Sequence, residues 1–107
     1  MANALEKAGM IENIILELKK IYDPEIPVNI YDLGLIYDIQ IRDDLTAFVL
    51  MSLTSPNCPV AESLPVDVRD AVVKVPGIQG CQVEVTFDPP WDKSMISDAA
   101  LLEMGLL

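Results

Sequence analysis

The spacing of the apolar residues switches along this chain between that of a helix and that of a strand, and this succession constrains the fold more than any other feature. Ile11, Ile14, Ile15, Leu18 and Ile21 recur three and four residues apart and form one apolar stripe on a first helix. Glu12, Glu17, Lys19 and Lys20 fall mostly off that stripe. Gly9 weakens any upstream extension, so residues 1–8 are expected to fray or to form a separate short turn, with a core of 10–107. Asp23-Pro24 ends the helix, because proline disfavours helical geometry in the residue before it.

Residues 23–34 read as an ordered loop that ends at Asp32-Leu33-Gly34. The period then becomes two. Leu35, Tyr37, Ile39 and Ile41 alternate with Ile36, Asp38 and Gln40, which predicts a strand. Arg42-Asp43-Asp44 is a polar turn, and Thr46 to Leu53 follows as a buried strand, giving an antiparallel hairpin. Helical spacing returns with Val60, Leu64, Val68 and Val72, flanked by Ala61, Ala71 and Val75. Pro59 suits the first helical position, whereas Pro65 is expected to kink or restart the helix. Pro76-Gly77 stops it. Cys81, Val83, Val85 and Phe87 alternate as a third strand, and Asp88-Pro89-Pro90-Trp91 is a rigid exit. Ser97 caps a short terminal helix through Met104, with Gly105 as its stop. The order helix, strand, strand, helix, strand, short helix predicts an α+β two-layer sandwich, a three-stranded sheet with helices on one face. Strand order is not legible at this level.

A chain of 107 residues makes one domain, 1–107, that needs no disulfide or metal to fold. Acids outnumber bases 17 to 7, for a net charge of −10. That field repels phosphate backbones and anionic lipid heads, so no nucleic-acid or membrane partner is expected. No histidine is present, which excludes His-based triads, His zinc sites and histidine general bases. No stretch approaches the ~20 apolar residues of a membrane span. The first twenty residues lack a basic segment leading into an apolar core, so no signal peptide is expected and the setting is read as soluble, reducing and cytoplasmic. Gly34, Gly77 and Gly80 are isolated, so no glycine-rich phosphate loop exists.

Two cysteines differ in context. Cys58 lies in SLTSPNCPVAES, where a strand should give way to a helix. A thiol there meets unpaired backbone N–H groups and the positive end of a helix dipole, both of which favour the thiolate. The alternative is a small buried apolar side chain. Cys81 shares the phase of Val83 and Val85 and reads as core. Asp23 and Glu25 flank Pro24; paired carboxylates can ligate a metal, or they can simply form a turn. Asp32 reads as a turn former. Thr54 and Ser55 offer hydroxyls near Cys58, either to a ligand or to loop backbone groups. Trp91 reads as an anchor for the C-terminal segment, with a partner-binding patch as the alternative, and Met51, Met95 and Met104 read as packing. Two thiols cannot supply four cysteine ligands, so any cluster must be shared across a homodimer, completed by carboxylate or external ligands, or handed through.

Taken together, Asp23 to Ile39 (DPEIPVNIYDLGLIYDI), the Thr54 to Pro65 loop (TSPNCPVAESLP), Val75 to Ile78 (VPGI), Phe87 to Trp91 (FDPPW) and the later MISDAA resemble one family. It is the small iron–sulfur cluster assembly family that includes the SufT proteins, the PaaD proteins and the eukaryotic cytosolic iron–sulfur targeting factor. The resemblance covers about residues 10 to 107, and the absence of a further cysteine-bearing segment before Leu107 points to the shorter SufT-like branch. It implies the α+β fold read above and an accessory role in iron–sulfur protein maturation rather than an enzyme's. It also implies that Cys58 is the reactive cysteine and that Asp23 and Glu25 are the acidic pair. Thr54 and, more loosely, Ser55 match its loop hydroxyls. The expected cargo is iron or an iron–sulfur cluster, held transiently by Cys58, Asp23 and Glu25. The expected partners are assembly or recipient proteins, with a homodimer as the expected self-association. Two other readings stand beside this one. An acidic interaction adaptor would use Trp91 and no metal chemistry. A thiol enzyme would use Cys58 as nucleophile, but it would lack the usual histidine base.

Overall fold

The structure, a computed structural model, describes residues 3–23, 26–54 and 63–105. Helix α1 spans Ala4–Leu18, strand β1 Ile36–Ile41, strand β2 Thr46–Met51, helix α2 Leu64–Val73 and strand β3 Gly80–Val85. A single 3-10 turn, Lys93–Met95, precedes helix α3, Asp98–Glu103. The order and the two-layer α+β arrangement are those the periodicity predicts.

The first helix starts earlier than Gly9 suggests. The Asn3 side chain caps it, accepting from the Glu6 N–H at 2.8 Å. That cap satisfies an otherwise orphaned donor and offsets the ~1 kcal/mol a helical glycine costs, so the helix runs through Gly9. Ile14 and Leu18 are fully buried on its inner stripe. Helix α2 begins at Leu64, with Pro65 in its first turn, where the missing N–H removes no hydrogen bond. Pro65 is therefore a starter of the described helix. The stretch from Pro59 to Glu62, for which the apolar spacing predicts helix, lies outside the described residues. Leu64, Val68, Ala71 and Val72 are the buried stripe of α2.

Strand β2 is central, antiparallel to β1 and parallel to β3. Its alternate residues Ala47, Val49 and Met51 are fully buried under the helices. Phe48 and Leu50 lie on the opposite face. The β1–β2 register slips between Ile36 and Asp38, so the simple alternation expected for β1 fails at Tyr37. Tyr37 leaves the core, and its hydroxyl donates to the Pro89 carbonyl at 2.8 Å. The third strand also ends sooner than its pattern suggests. Phe87 lies beyond Val85 and is 43% exposed, because the chain has already turned away from the sheet toward the proline pair.

The C-terminal segment is pinned at three places. Trp91 Nε1 donates to the Leu33 carbonyl at 2.7 Å, which makes this ring an internal anchor. The Ser97 N–H donates to the Asp32 carbonyl at 2.8 Å, and Ser97 Oγ accepts from the Ala100 N–H. Gly34 has φ +87°, and its missing side chain leaves room for the Met95 backbone. A Cβ at Gly34 would lie 2.9 Å from Met95 Cβ, so only glycine fits this crossing.

Candidate functional site

The chain of backbone bonds at one end of the sheet sets the frame for the predicted site. The Ser52 N–H donates to Leu35 at 2.8 Å, the Leu35 N–H to Ile30 at 3.1 Å, and the Ile30 N–H to Ile21 at 2.9 Å. These bonds tie the loop after α1, which carries Asp23, to the exit of β2, which carries Thr54. Within that loop the Asp23 N–H donates to the Val28 carbonyl at 3.3 Å, and Tyr22 pairs with Asn29 in an isolated bridge.

Asp23 is buried, at 4% exposure, and its Oδ1 accepts from the Ile26 N–H at 3.1 Å. A carboxylate so enclosed is unusual for a surface turn former, since burying a charge is costly without partners. Ser52 is fully buried, and its hydroxyl donates to the Leu53 carbonyl at 3.5 Å. Thr54 Oγ1 is buried with no hydrogen-bond partner among the described residues. An orphaned buried hydroxyl costs ~1–3 kcal/mol, so this one calls for a reason beyond folding. Sequence reasoning passed over Ser52; its hydroxyl within an otherwise apolar strand end was the available signal.

Glu25, Ser55 and Cys58 lie outside the described residues, so of the predicted set the structure describes Asp23 and Thr54, whose segments are tied by those backbone bonds. Asp32 has a structural job. Its carboxylate accepts from Asn29 Nδ2 at 2.8 Å while its N–H donates to Asn29 Oδ1 at 2.9 Å. Cys81 packs against the core, and burial pushes its thiol up to about 11. It is thus a poor thiolate source at neutral pH. Among the described residues no group of three or more cysteine, aspartate or glutamate side chains is arranged to hold a metal ion. No described helix is long and apolar enough to cross a membrane.

A separate groove of about 630 Å³ lies between the outer face of the sheet and the exit loop. Its walls include Ile36, Tyr37, Leu50, Asp88, Pro89 and Met95. It contains neither Asp23 nor Thr54.

The α+β domain carries a buried carboxylate at Asp23 and a buried hydroxyl at Thr54, and its sequence matches a known family. Residues 11–85 match the family described as iron–sulfur cluster assembly protein, and the chain belongs to that family. Among its relatives is the Fe-S protein maturation auxiliary factor of Porphyromonas gingivalis, 49% identical over 90% of this chain and 91% of that protein. The Fe-S protein maturation auxiliary factor SufT of Staphylococcus aureus is 34% identical over 80% of this chain and 98% of its own length. An iron-sulfur cluster carrier protein of Synechocystis is 33% identical over 77% of this chain but only 23% of that longer protein. Among solved structures, a domain of unknown function from Bacillus anthracis superposes with a TM-score of 0.87 at 31% identity, covering 98% of this chain and all of that one. A conserved hypothetical protein from Thermotoga maritima gives 0.74 at 38% identity, over 88% and 92% of the two chains.

Proposed function

We propose that this chain is an accessory factor in iron–sulfur cluster assembly, transfer or protein maturation, with Cys58 as the thiolate that takes the cargo. The observation that carries the reading is the family match over 11–85, a span that includes Asp23, Glu25, Thr54, Ser55 and Cys58. The likeness to maturation auxiliary factors over nearly the full chain supports it.

The chemistry follows from the donors. Asp23 and Glu25 supply hard carboxylate oxygens, and Cys58 supplies a soft sulfur suited to iron. Cys81 is half-buried against the core and desolvation pushes its thiol up, which makes Cys58 the sulfur assigned to the cargo in this reading. A cluster held by so few protein ligands keeps open coordination positions. A recipient's thiolates can then displace it by ligand exchange, which favours transfer over storage. Thr54 Oγ1 and Ser55 Oγ are placed in this reading as hydrogen-bonding groups toward the cargo. Such a role gives the orphaned Thr54 hydroxyl its reason for being buried. The chain acts in this reading as a carrier rather than an enzyme, in a reducing cytoplasm, on assembly or recipient proteins. A homodimer would bring a second Cys58 to a shared cluster. The adaptor alternative loses its anchor, because Trp91 is spent internally on the Leu33 carbonyl.

The test replaces Cys58 with serine in cells that depend on this protein and measures the activity of cluster-dependent enzymes. Reduced maturation at normal protein level is expected. Unimpaired maturation removes Cys58 from the mechanism. Thr54→Val separates function from folding, since it keeps the volume and deletes only the unpartnered hydroxyl. Its melting temperature is expected to hold or rise while maturation falls. Anaerobic reconstitution with iron and sulfide, read by absorption and iron per chain, distinguishes stable from transient loading.

A further inference from the structure

The groove beside Tyr37 is built rather than incidental. One wall is the exit loop, held by the Tyr37 hydroxyl on the Pro89 carbonyl at 2.8 Å. Another is Met95, locked by the close crossing of Gly34 and in contact with the same hydroxyl at 3.8 Å from its sulfur. Leu50 forms apolar floor, and Phe48, two residues along β2 on the same face, continues it by about 7 Å. The helices pack on the other side of the sheet, so among the described residues no helix covers this strip.

Its charge is one-sided. Register places Asp38 on β1 and Glu84 on β3 directly across from Leu50, and Asp88 lines the groove itself. Asp38 accepts from Gln40 Nε2 at 2.7 Å. Among the described residues neither Glu84 nor Asp88 is paired with a cation. Arg42 sits at the far end of the strip, 5.8 Å over the Phe48 ring, and Lys93 forms no ion pair with Glu84 or Asp88 among the described residues. The Leu50 end is therefore apolar and uncompensated negative, while the Phe48 end is not.

We propose that this groove docks an extended peptide segment of a partner protein, with an apolar side chain between Leu50 and Met95 and a lysine or arginine beside Asp88. The charge selects the occupant. A second copy of a chain with net charge −10 would bring like charge to the same ring of carboxylates. A strip that runs out of the groove along the strand suits a polymer better than a compact small molecule. Walls already fixed by Tyr37 and Gly34 reduce the ordering cost of binding. None of the groove residues named above belongs to the proposed cargo-binding set.

The test uses the full chain and a fluorescein-labelled ten-residue peptide of alternating leucine and lysine, with a leucine–glutamate peptide as its counterpart. Binding is read by anisotropy and located by amide chemical shifts. Binding of the lysine peptide alone is expected, with shifts at Tyr37, Leu50, Asp88 and Met95. Asp88→Asn should weaken it about threefold, the scale of a rim charge. The same charge change at remote Asp70→Asn should leave it within about twofold. Leu50→Lys should weaken it about tenfold or more, with melting used to show that it folds. Cys58→Ser should bind as the native chain does, which keeps this outcome separate from the cluster-transfer reading. Equal losses in the Asp70 and Asp88 variants, shifts centred elsewhere, or binding of the glutamate peptide would overturn the proposal. So would concentration-dependent shifts at these residues without peptide, which would make a second copy the occupant.

Discussion

Gly34→Ala tests whether the close crossing of the Asp32-Leu33-Gly34 turn and the Met95 backbone holds the C-terminal segment in place. Two costs add. An L-residue at φ +87° adopts left-handed geometry, at about 1–2 kcal/mol. The new Cβ would also meet the Met95 carbonyl group, with its carbon at 3.0 Å and its oxygen nearer still, where carbon contacts ordinarily begin at about 3.5 Å. Met95 cannot easily yield, because its N–H is bonded to the Asp92 carbonyl at 2.9 Å and its neighbour Ile96 is buried. Overpacking against fixed backbone adds about 1–3 kcal/mol, for a total near 2–5 kcal/mol. Gly77→Ala is the internal control. Its φ of +94° carries the same conformational cost, but its Cβ would meet Met10 Cε at 2.8 Å, the free end of a flexible side chain that can swing aside. Urea unfolding of both variants measures the difference. Gly34→Ala should be the less stable by about 1–3 kcal/mol, or roughly 4–20 °C in melting temperature for a domain near this size. Equal destabilisation of the two would refute the claim that the Met95 contact matters beyond φ.

Other outcomes follow from single bonds and one thiol. Trp91→Phe keeps a ring in place but strands the Leu33 carbonyl, and should cost about 1–2 kcal/mol in denaturant unfolding. Ser97→Ala removes the cap of α3 and should cost about 1 kcal/mol, seen first as faster amide exchange over Asp98–Glu103. Cys81 has a folded-state pKa raised by burial from 9.0 to about 11. Its contribution to stability is therefore complete below pH 9 and is lost as pH rises through 11. Wild type should lose stability relative to Cys81→Val across that window, and iodoacetamide should leave Cys81 largely unmodified at pH 8 in the folded Cys58→Ser variant. A pH-independent difference between the two chains would contradict the desolvated thiol.

The buried polar atoms explain why the candidate site was only half visible beforehand. Asp23 looked like one more acid beside a proline, and no local pattern distinguishes such a turn former from a carboxylate enclosed at 4% exposure. Thr54 stands out in sequence for its closeness to Cys58, yet the informative fact is that its buried hydroxyl has no partner among the described residues, a property of what packs around it. Strict alternation puts Tyr37 in the same phase as Leu35, Ile39 and Ile41. One bulge moved it to the groove wall, because a single inserted residue reverses the side a strand residue faces.

Local chemistry determined the elements and their ends. Spacing of three and four made α1 and α2, spacing of two made the strands, and Ser97 and Gly105 bracketed α3, because period, capping and left-handed geometry act over a few neighbours. The tertiary structure alone decided that β2 is central, that Pro65 starts a helix, that Trp91 binds Leu33, and that the exit loop and the outer sheet enclose a groove. Those outcomes depend on which distant groups meet across the fold, and residues dozens of positions apart leave no mark of their meeting in the local order of the chain.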